Sequence, residues 1–260
     1  MKVIDKATQV LKSKQSPAVR VAVMGVMTAL VTAATMLFQL SIPSTTGYFN
    51  LGESMVYITA LTFGPYIGGF AGGVGSMMAD LLTGYIVFAP ATLISKGIEG
   101  TVVGYLSTSL QRIISKHTSN AATIVGVINA SILATIGVIF FIGTADIFGV
   151  LSGDTTLYSL SIVLSPIVWV VIGGICFITI YTMGRKYPDT THNLIAMIIG
   201  GALMILGYFI FEQFFLGVAA IAEIPFNTTQ VLIGIVIALP IAKTLKTKLP
   251  YFSDSKGGEN

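Results

Sequence analysis

Five side chains that can carry charge or make strong hydrogen bonds occur in one apolar stretch, between Gly47 and Gly104. They are Asn50, Glu53, Asp80, Lys96 and Glu99. An ionisable group inside a membrane-spanning segment costs about 2.5–3.5 kcal/mol on insertion scales. Because groups so costly are usually retained for binding or transport, we expect these side chains to contact a ligand.

Further polar residues fall at the same predicted depth, in the outer half of the membrane-embedded part. Glu212 is near the outer end of a late apolar segment, Asn227 and Gln230 begin the next one, and Tyr85 follows Asp80. This distribution predicts a small-molecule pocket open to the outside rather than a continuous ion path. The predicted substrate-binding residues are Asn50, Glu53, Asp80, Tyr85, Lys96, Glu99, Glu212, Asn227 and Gln230.

Each of these residues also has a purely structural interpretation. Lys96 and Glu99 are spaced i,i+3 and could simply neutralise each other on one helix face. Asp80 could hydrogen-bond a neighbouring helix, and Glu53 could be an acid placed favourably at a helix N-terminus. Glu212 could equally be a packed structural group, and the sequence leaves these alternatives open.

Sequence signatures of catalysis are missing. There is no G-x-x-x-x-G-K-[ST] segment and no H-E-x-x-H segment, and no Cys/His set has zinc-site spacing. The single cysteine, Cys176, excludes an internal disulfide, and His117 and His192 fall in short polar linkers. We therefore expect no enzymatic activity, no catalytic residues, no bound metal and no cofactor of its own.

The composition indicates an integral membrane protein. The 260 residues have a mean hydropathy of +0.87 and 10% charged residues, whereas soluble domains have about 25%. We expect one all-α transmembrane domain over residues 1–260, in the cell membrane. A net charge of +3 gives no reason to expect a nucleic-acid partner.

About eight apolar segments can be drawn, although the second is short and meets the third at Gly64-Pro65. They are predicted near 18–41, 53–64, 65–84, 90–110, 121–143, 158–183, 192–217 and 225–245, and the first, fourth and sixth are the strongest.

The basic residues orient these segments by the positive-inside rule. With the N-terminus in the cytoplasm, every Lys and Arg except Lys96 falls inside, while the external linkers carry only acids: Asp146, Asp154 and Glu223. Both termini are therefore predicted to be cytoplasmic, residues 1–17 as a basic segment and residues 246–260 as a tail.

Small residues recur every four positions on two segments. Gly64, Gly68, Gly72, Ser76 and Asp80 form one stripe, and Gly25, Ala29 and Ala33 form another on the first segment. Small residues let helices approach closely in lipid. The stripe from Gly64 to Asp80 is predicted to pack within the chain. The stripe of Gly25, Ala29 and Ala33 could pack internally or dock a partner subunit.

Several motifs resemble the substrate-binding S components of energy-coupling factor transporters. They read NLGE at 50–53, FGP at 63–65, GGFAGGVGSMMADLLTGY from residue 68, PATLISKGIEG from residue 90, LGYFIFEQFF from residue 206 and EIPFNTTQ from residue 223. The motifs are similar to a vitamin-type branch that includes proteins linked to pyridoxine-like and hydroxymethylpyrimidine-like substrates; related branches carry thiamine, riboflavin, folate or queuosine precursors.

The resemblance implies a six-helix bundle that captures a vitamin outside and associates with a transmembrane scaffold (T) subunit and two ATPase subunits. ATP would then be used by the partners alone. It also implies docking through Gly25, Ala29 and Ala33, and a gate formed by the loop Ser41–Gly52. Residues 113–192 depart from the six-helix pattern and are predicted to be an inserted helix pair.

The charges predict the substrate class. The carboxylates of Glu53, Asp80, Glu99 and Glu212 accompany one ammonium, Lys96, and Coulomb repulsion of an anion would be strong in a low-dielectric site. We expect a neutral or cationic heterocycle (pyridoxine-, hydroxymethylpyrimidine- or thiamine-like) stacked on Tyr48, Phe49, Tyr57 or Tyr85. The alternatives are a stand-alone proton-coupled transporter using Asp80 and Glu99, and a membrane enzyme acting on lipid.

Overall fold

The computed structural model describes residues 17–42, 47–113, 119–152, 155–187 and 190–248. These residues form eight α-helices, four strands and a short 3₁₀ helix, Gly217–Ala222. The helices are α1 (Pro17–Leu37), α2 (Gly52–Phe63), α3 (Pro65–Thr83), α4 (Ala89–Ile113), α5 (Ser119–Phe140), α6 (Pro166–Lys186), α7 (Thr191–Glu212) and α8 (Glu223–Lys248). The strands are β1 (Gln39–Ile42), β2 (Gly47–Asn50), β3 (Gly143–Ser152) and β4 (Thr155–Leu164).

Five helical segments are long and apolar enough to cross a membrane. They are Pro17–Leu37, Thr123–Phe140, Pro166–Lys186, Thr191–Glu212 and Gly217–Lys248. Helix α2 has only 12 residues, and α4, predicted to be one of the strongest spans, is not among the five because its apolar residues are interspersed with polar ones. The predicted class, an all-α membrane protein, is confirmed.

The four strands form one antiparallel sheet in the order β2-β1-β3-β4. Strands β1 and β2 join α1 to α2, and β3 and β4 join α5 to α6, so one end of each of these helices meets the sheet. We call this the sheet end of the bundle. Among the described basic residues only Lys96 lies there, and the others are near the opposite helix ends.

The linker that carries Asp146 contains strands, which the sequence did not predict. Residues 143–152 and 155–164 are two ten-residue strands, and Asp154 lies outside the described residues. The sixth predicted span is present, but its predicted start at residue 158 is wrong, because α6 begins at Pro166. Strand β4, TTLYSLSIVL, is rich in β-branched residues that favour a pleated strand, and proline is well suited to the first turn of a helix.

The helices pack as a six-helix core with a flanking pair. Helices α1 to α4, α7 and α8 contact one another, whereas α5 and α6 pack mainly together and reach the core chiefly through α8. The main apolar cluster surrounds Tyr57, Met197 and Ile235, and the flanking pair buries Leu133 and Trp169. Helices α5 and α6 and strands β3 and β4 all fall within residues 113–192, and the assignment of this region as an insertion stays a prediction.

Glycines let α3 lie against its neighbours at very short distance. A Cβ added to Gly68 would lie 2.6 Å from Ala60 Cα and 3.0 Å from Gly100 O. A Cβ on Gly72 would lie 3.0 Å from Lys96 O. The α3 stripe therefore packs within the chain, as predicted, and brings α2 and α4 together so that their polar side chains meet.

Candidate functional site

A cavity opens at the sheet end between α1, β2, α3, α4, α7 and α8. Its volume is about 50 Å³, and about 500 Å³ of space is counted when the solvent-open mouth is included. It is lined by Thr35, Tyr48, Asn50, Ser76, Asp80, Phe88, Thr92, Lys96, Tyr208, Glu212, Glu223, Asn227 and Gln230. The sequence predicted a pocket formed by several segments at this end.

The structure brings the predicted binding residues to one region. Six line the cavity directly: Asn50, Asp80, Lys96, Glu212, Asn227 and Gln230. Glu53 and Glu99 contact Lys96 from the protein interior. Tyr85 lies beside the cavity, with its ring centroid 4.3 Å from that of Tyr48.

Lys96 is the centre of a buried ionic cluster. Its Nζ is paired with Glu53 Oε2 and lies 3.2 Å from Glu99 Oε2. The exposed fractions are 3% for Lys96, 1% for Glu53 and 0% for Glu99. The predicted Lys96–Glu99 pair thus exists, but Glu53 from α2 joins it, so two carboxylates share one ammonium and the cluster is formally negative.

Hydrogen bonds hold this cluster between β2, α7 and α8. Gln230 Nε2 donates to Glu53 Oε2 at 3.3 Å, and the backbone N–H of Asn50 donates to Gln230 Oε1 at 3.0 Å. At the inner side, the Tyr57 hydroxyl lies 3.0 Å from Glu99 Oε1 and 3.3 Å from Met197 O. The ionic cluster is therefore linked to the strand that the resemblance assigns to a gate.

Asp80 presents a carboxylate oxygen to the cavity. The Tyr48 hydroxyl donates to Asp80 Oδ1 at 2.7 Å, whereas Oδ2 has no hydrogen-bond partner among the described residues and Asp80 is 3% exposed. Burial and the charge of Asp80 raise the pKa of Tyr48 well above its ordinary value, so this phenol remains a donor. The remaining oxygen can accept a hydrogen bond from a ligand.

Two aromatic residues considered for stacking do not line the cavity. Tyr57 is fully buried and hydrogen-bonded to Glu99. The ring of Phe49 is buried and packs edge-on against Phe38 at 6.4 Å. The aromatic surface of the cavity comes from Tyr48, which was predicted, and from Phe88 and Tyr208.

The sequence alone did not indicate several lining residues. These are Thr35, Ser76, Phe88, Thr92, Tyr208 and Glu223. Most are types that occur in any apolar helix, so only the packing reveals them. Glu223 offered a signal, because it lies in EIPFNTTQ next to the predicted Asn227, yet it was assigned to an external linker.

The predicted docking residues form an open face of α1. Gly25 and Ala29 are exposed, Ala33 is half-buried, and a Cβ added to Gly25 would have no atom within 4 Å. This face is thus available to a partner, whereas the stripe on α3 is not. Among the described residues no group of His, Cys, Asp and Glu is arranged to hold a metal ion.

The fold and the cavity define a class: a membrane-embedded helical bundle with a polar pocket at one end. A family model described as "ECF-type riboflavin transporter, S component" matches residues 16–183. The chain belongs to this family of S components. It is therefore a multi-pass membrane protein, with five helical segments long and apolar enough to cross a membrane among the described residues.

The chain is also similar in sequence to a curated protein whose name states no function. It is an uncharacterized protein in the gap 3′ region of Pyrococcus woesei, 51% identical over 77 residues. The aligned region covers 30% of this chain and 51% of the relative, so the chain spans about half the length of that protein. No solved structure matches.

Proposed function

We propose that this chain is the high-affinity binding subunit for a neutral or cationic, donor-bearing heterocycle that enters the cavity from outside the cell. The observation that carries the proposal is the charge balance of the lining. Among the described residues, Lys96 is the only basic one that lines the cavity, and Glu53 and Glu99 already engage it. Asp80 and Glu212 add further carboxylates, so the site favours donors and cations over anions.

Several vitamins satisfy this description. Riboflavin, the substrate named by the matching family, is a neutral heterocycle with donor groups. Pyridoxine-, hydroxymethylpyrimidine- and thiamine-like compounds also fit, because each combines an aromatic ring with hydrogen-bond donors. Tyr48, Phe88 and Tyr208 offer ring surface, while Asn50, Asn227 and Gln230 offer amide groups. A dianionic vitamin does not fit this lining.

The proposal also assigns an orientation and a partner face. Basic residues occur near the helix ends opposite the sheet: Arg20, Arg112, Arg185, Lys186, Lys243, Lys246 and Lys248. By the positive-inside rule that end is cytoplasmic and the sheet is external. The T subunit would contact the open α1 face at Gly25, Ala29 and Ala33, and β1 and β2 would gate the cavity.

The test is to purify the chain in mild detergent and to identify any retained compound by mass spectrometry. We expect one donor-bearing heterocycle per chain. Its affinity should fall at least about tenfold in Asp80→Asn, which removes a charge-assisted hydrogen bond. The exposed Thr108→Val, outside the cavity, is the control. Tight binding of a folate without binding of riboflavin, pyridines or pyrimidines would reject the proposal.

A further inference from the structure

Two carboxyl groups outside the Lys96 cluster meet at one side of the cavity. Glu212 is the last residue of α7 and Glu223 is the first residue of α8. Both line the cavity, and they are only 2% and 5% exposed. The helix connection therefore places two acids in one buried corner.

In the described part of the chain, one oxygen of the Glu212 carboxyl group, Oε2, is left without a hydrogen-bond partner. Its position at a helix C-terminus is also unfavourable, because the macrodipole there is negative and favours cations. Lys96, the one basic residue that the described part of the chain contributes to the lining, is paired with Glu53 and Glu99. Buried carboxylates normally have partners, so a partner from outside the chain would explain this site.

We propose that Glu212 and Glu223 form an amine subsite that accepts the protonated amino group of the substrate. An ammonium group offers several N–H donors and one positive charge, which matches two adjacent acceptor groups. Phe88 and Tyr208 line the same cavity and supply aromatic surface for the ring that carries the amine. This inference rests on the proposed function and narrows it to amino-substituted heterocycles.

The amine subsite differs chemically from the other residues that line the cavity. Asp80, with Tyr48 on its other oxygen, accepts one hydrogen bond and occurs on α3. Glu212 and Glu223 occur where α7 and α8 meet and carry two carboxyl groups. A substrate that uses both places needs a donor for Asp80 and a cationic amine for the glutamates. Riboflavin has no such basic amine, so the subsite separates two kinds of vitamin.

The experiment measures equilibrium binding of three probes to the purified full chain. The probes are a pyridine with an aminomethyl group, the same pyridine with a hydroxymethyl group in its place, and riboflavin. We expect the aminomethyl probe to bind at least about tenfold more tightly than the hydroxymethyl probe. A charge-assisted hydrogen bond contributes enough binding free energy for this difference. Glu212→Gln should abolish this preference, because it should weaken binding of the aminomethyl probe at least about tenfold more than binding of the hydroxymethyl probe.

The matched control is Gln213→Glu, which adds a carboxylate one position away at an exposed site outside the cavity. It should keep the preference for the amine. The inference is overturned if riboflavin or the hydroxymethyl probe binds as tightly as the amine, or if Glu212→Gln keeps the preference. Those results leave the proposed function standing, since a heterocycle still binds. If none of the probes binds, the inference fails, and the retained-compound measurement decides the proposed function separately.

Discussion

At the scale of residues, the site depends on how one ammonium is shared. Lys96 holds Glu53 and Glu99 together in a region that is almost completely buried. Removing one member of a buried ionic cluster is costly because the others remain charged without a partner. The cluster therefore positions Glu53 and Gln230 beside the cavity and also makes the fold sensitive to substitution.

Lys96→Met should lower the free energy of unfolding by about 3–5 kcal/mol, because Glu53 and Glu99 would be left as adjacent buried acids. The double variant Lys96→Met/Glu53→Gln should recover part of this loss, since only one acid remains. Denaturant titration of the purified protein in detergent measures both. Equal stability of the wild type and Lys96→Met would show that the cluster is not ionised as described.

Tyr48→Phe should weaken ligand binding by about 1 kcal/mol, since it removes one hydrogen bond to Asp80 and leaves the ring against Tyr85. Titration calorimetry with the compound that the purified protein retains measures this change. Tyr105→Phe is the control because Tyr105 is 61% exposed and lies outside the cavity. If both variants bind equally well, the Tyr48 hydroxyl does not orient Asp80 for the ligand.

At the scale of elements, two small-residue faces that look alike in sequence have different surroundings. Gly68 on α3 is in contact with α2 and α4, whereas Gly25 on α1 has no neighbour within 4 Å of an added Cβ. The sequence predicted internal packing for the first face and left the second open. Only the packed structure separates them, because both have the same spacing of four.

Gly68→Leu should prevent folding or strongly destabilise the protein, as the side chain would collide with Ala60 and Gly100. Gly25→Leu should fold normally and bind its ligand, but should reduce co-purification with the T subunit. Size-exclusion chromatography and pull-down measure these effects. Normal assembly of Gly25→Leu with the T subunit would place the docking surface elsewhere.

Strand formation between the helices was the part of the fold that sequence reasoning did not anticipate. Hydropathy identifies long apolar helices well, and it correctly indicated the class, an all-α membrane protein. It counted β4 as the start of α6, because an apolar strand and an apolar helix have similar hydropathy. In the site, buried charge indicated the acids and Lys96, but nothing in the sequence showed that Glu53 and Glu99 share Lys96 or that Glu223 lines the same cavity as Glu212.

At the scale of the whole molecule, the described basic residues, apart from Lys96, and the sheet lie at opposite ends of the bundle. This asymmetry predicts which end faces the cytoplasm. Leu160→Cys on β4 should react with a membrane-impermeant thiol reagent added to intact cells, since Leu160 is 58% exposed. Lys248→Cys should react only after permeabilisation.

The labelling uses a Cys176→Ala background, in which no native thiol remains. Labelling of Lys248→Cys in intact cells, with protection of Leu160→Cys, would invert the orientation. In that case the cavity would open to the cytoplasm, and capture of an external nutrient by this chain would be ruled out.

The central claim is that this chain captures a nutrient while a separate motor supplies the work of transport. Uptake of the retained compound into proteoliposomes tests it most directly. The account predicts that the chain alone binds the compound without accumulating it, with or without a proton gradient, and that accumulation requires the T subunit, the ATPase subunits and ATP. Accumulation by the chain alone under a proton gradient would contradict the account and indicate a proton-coupled transporter.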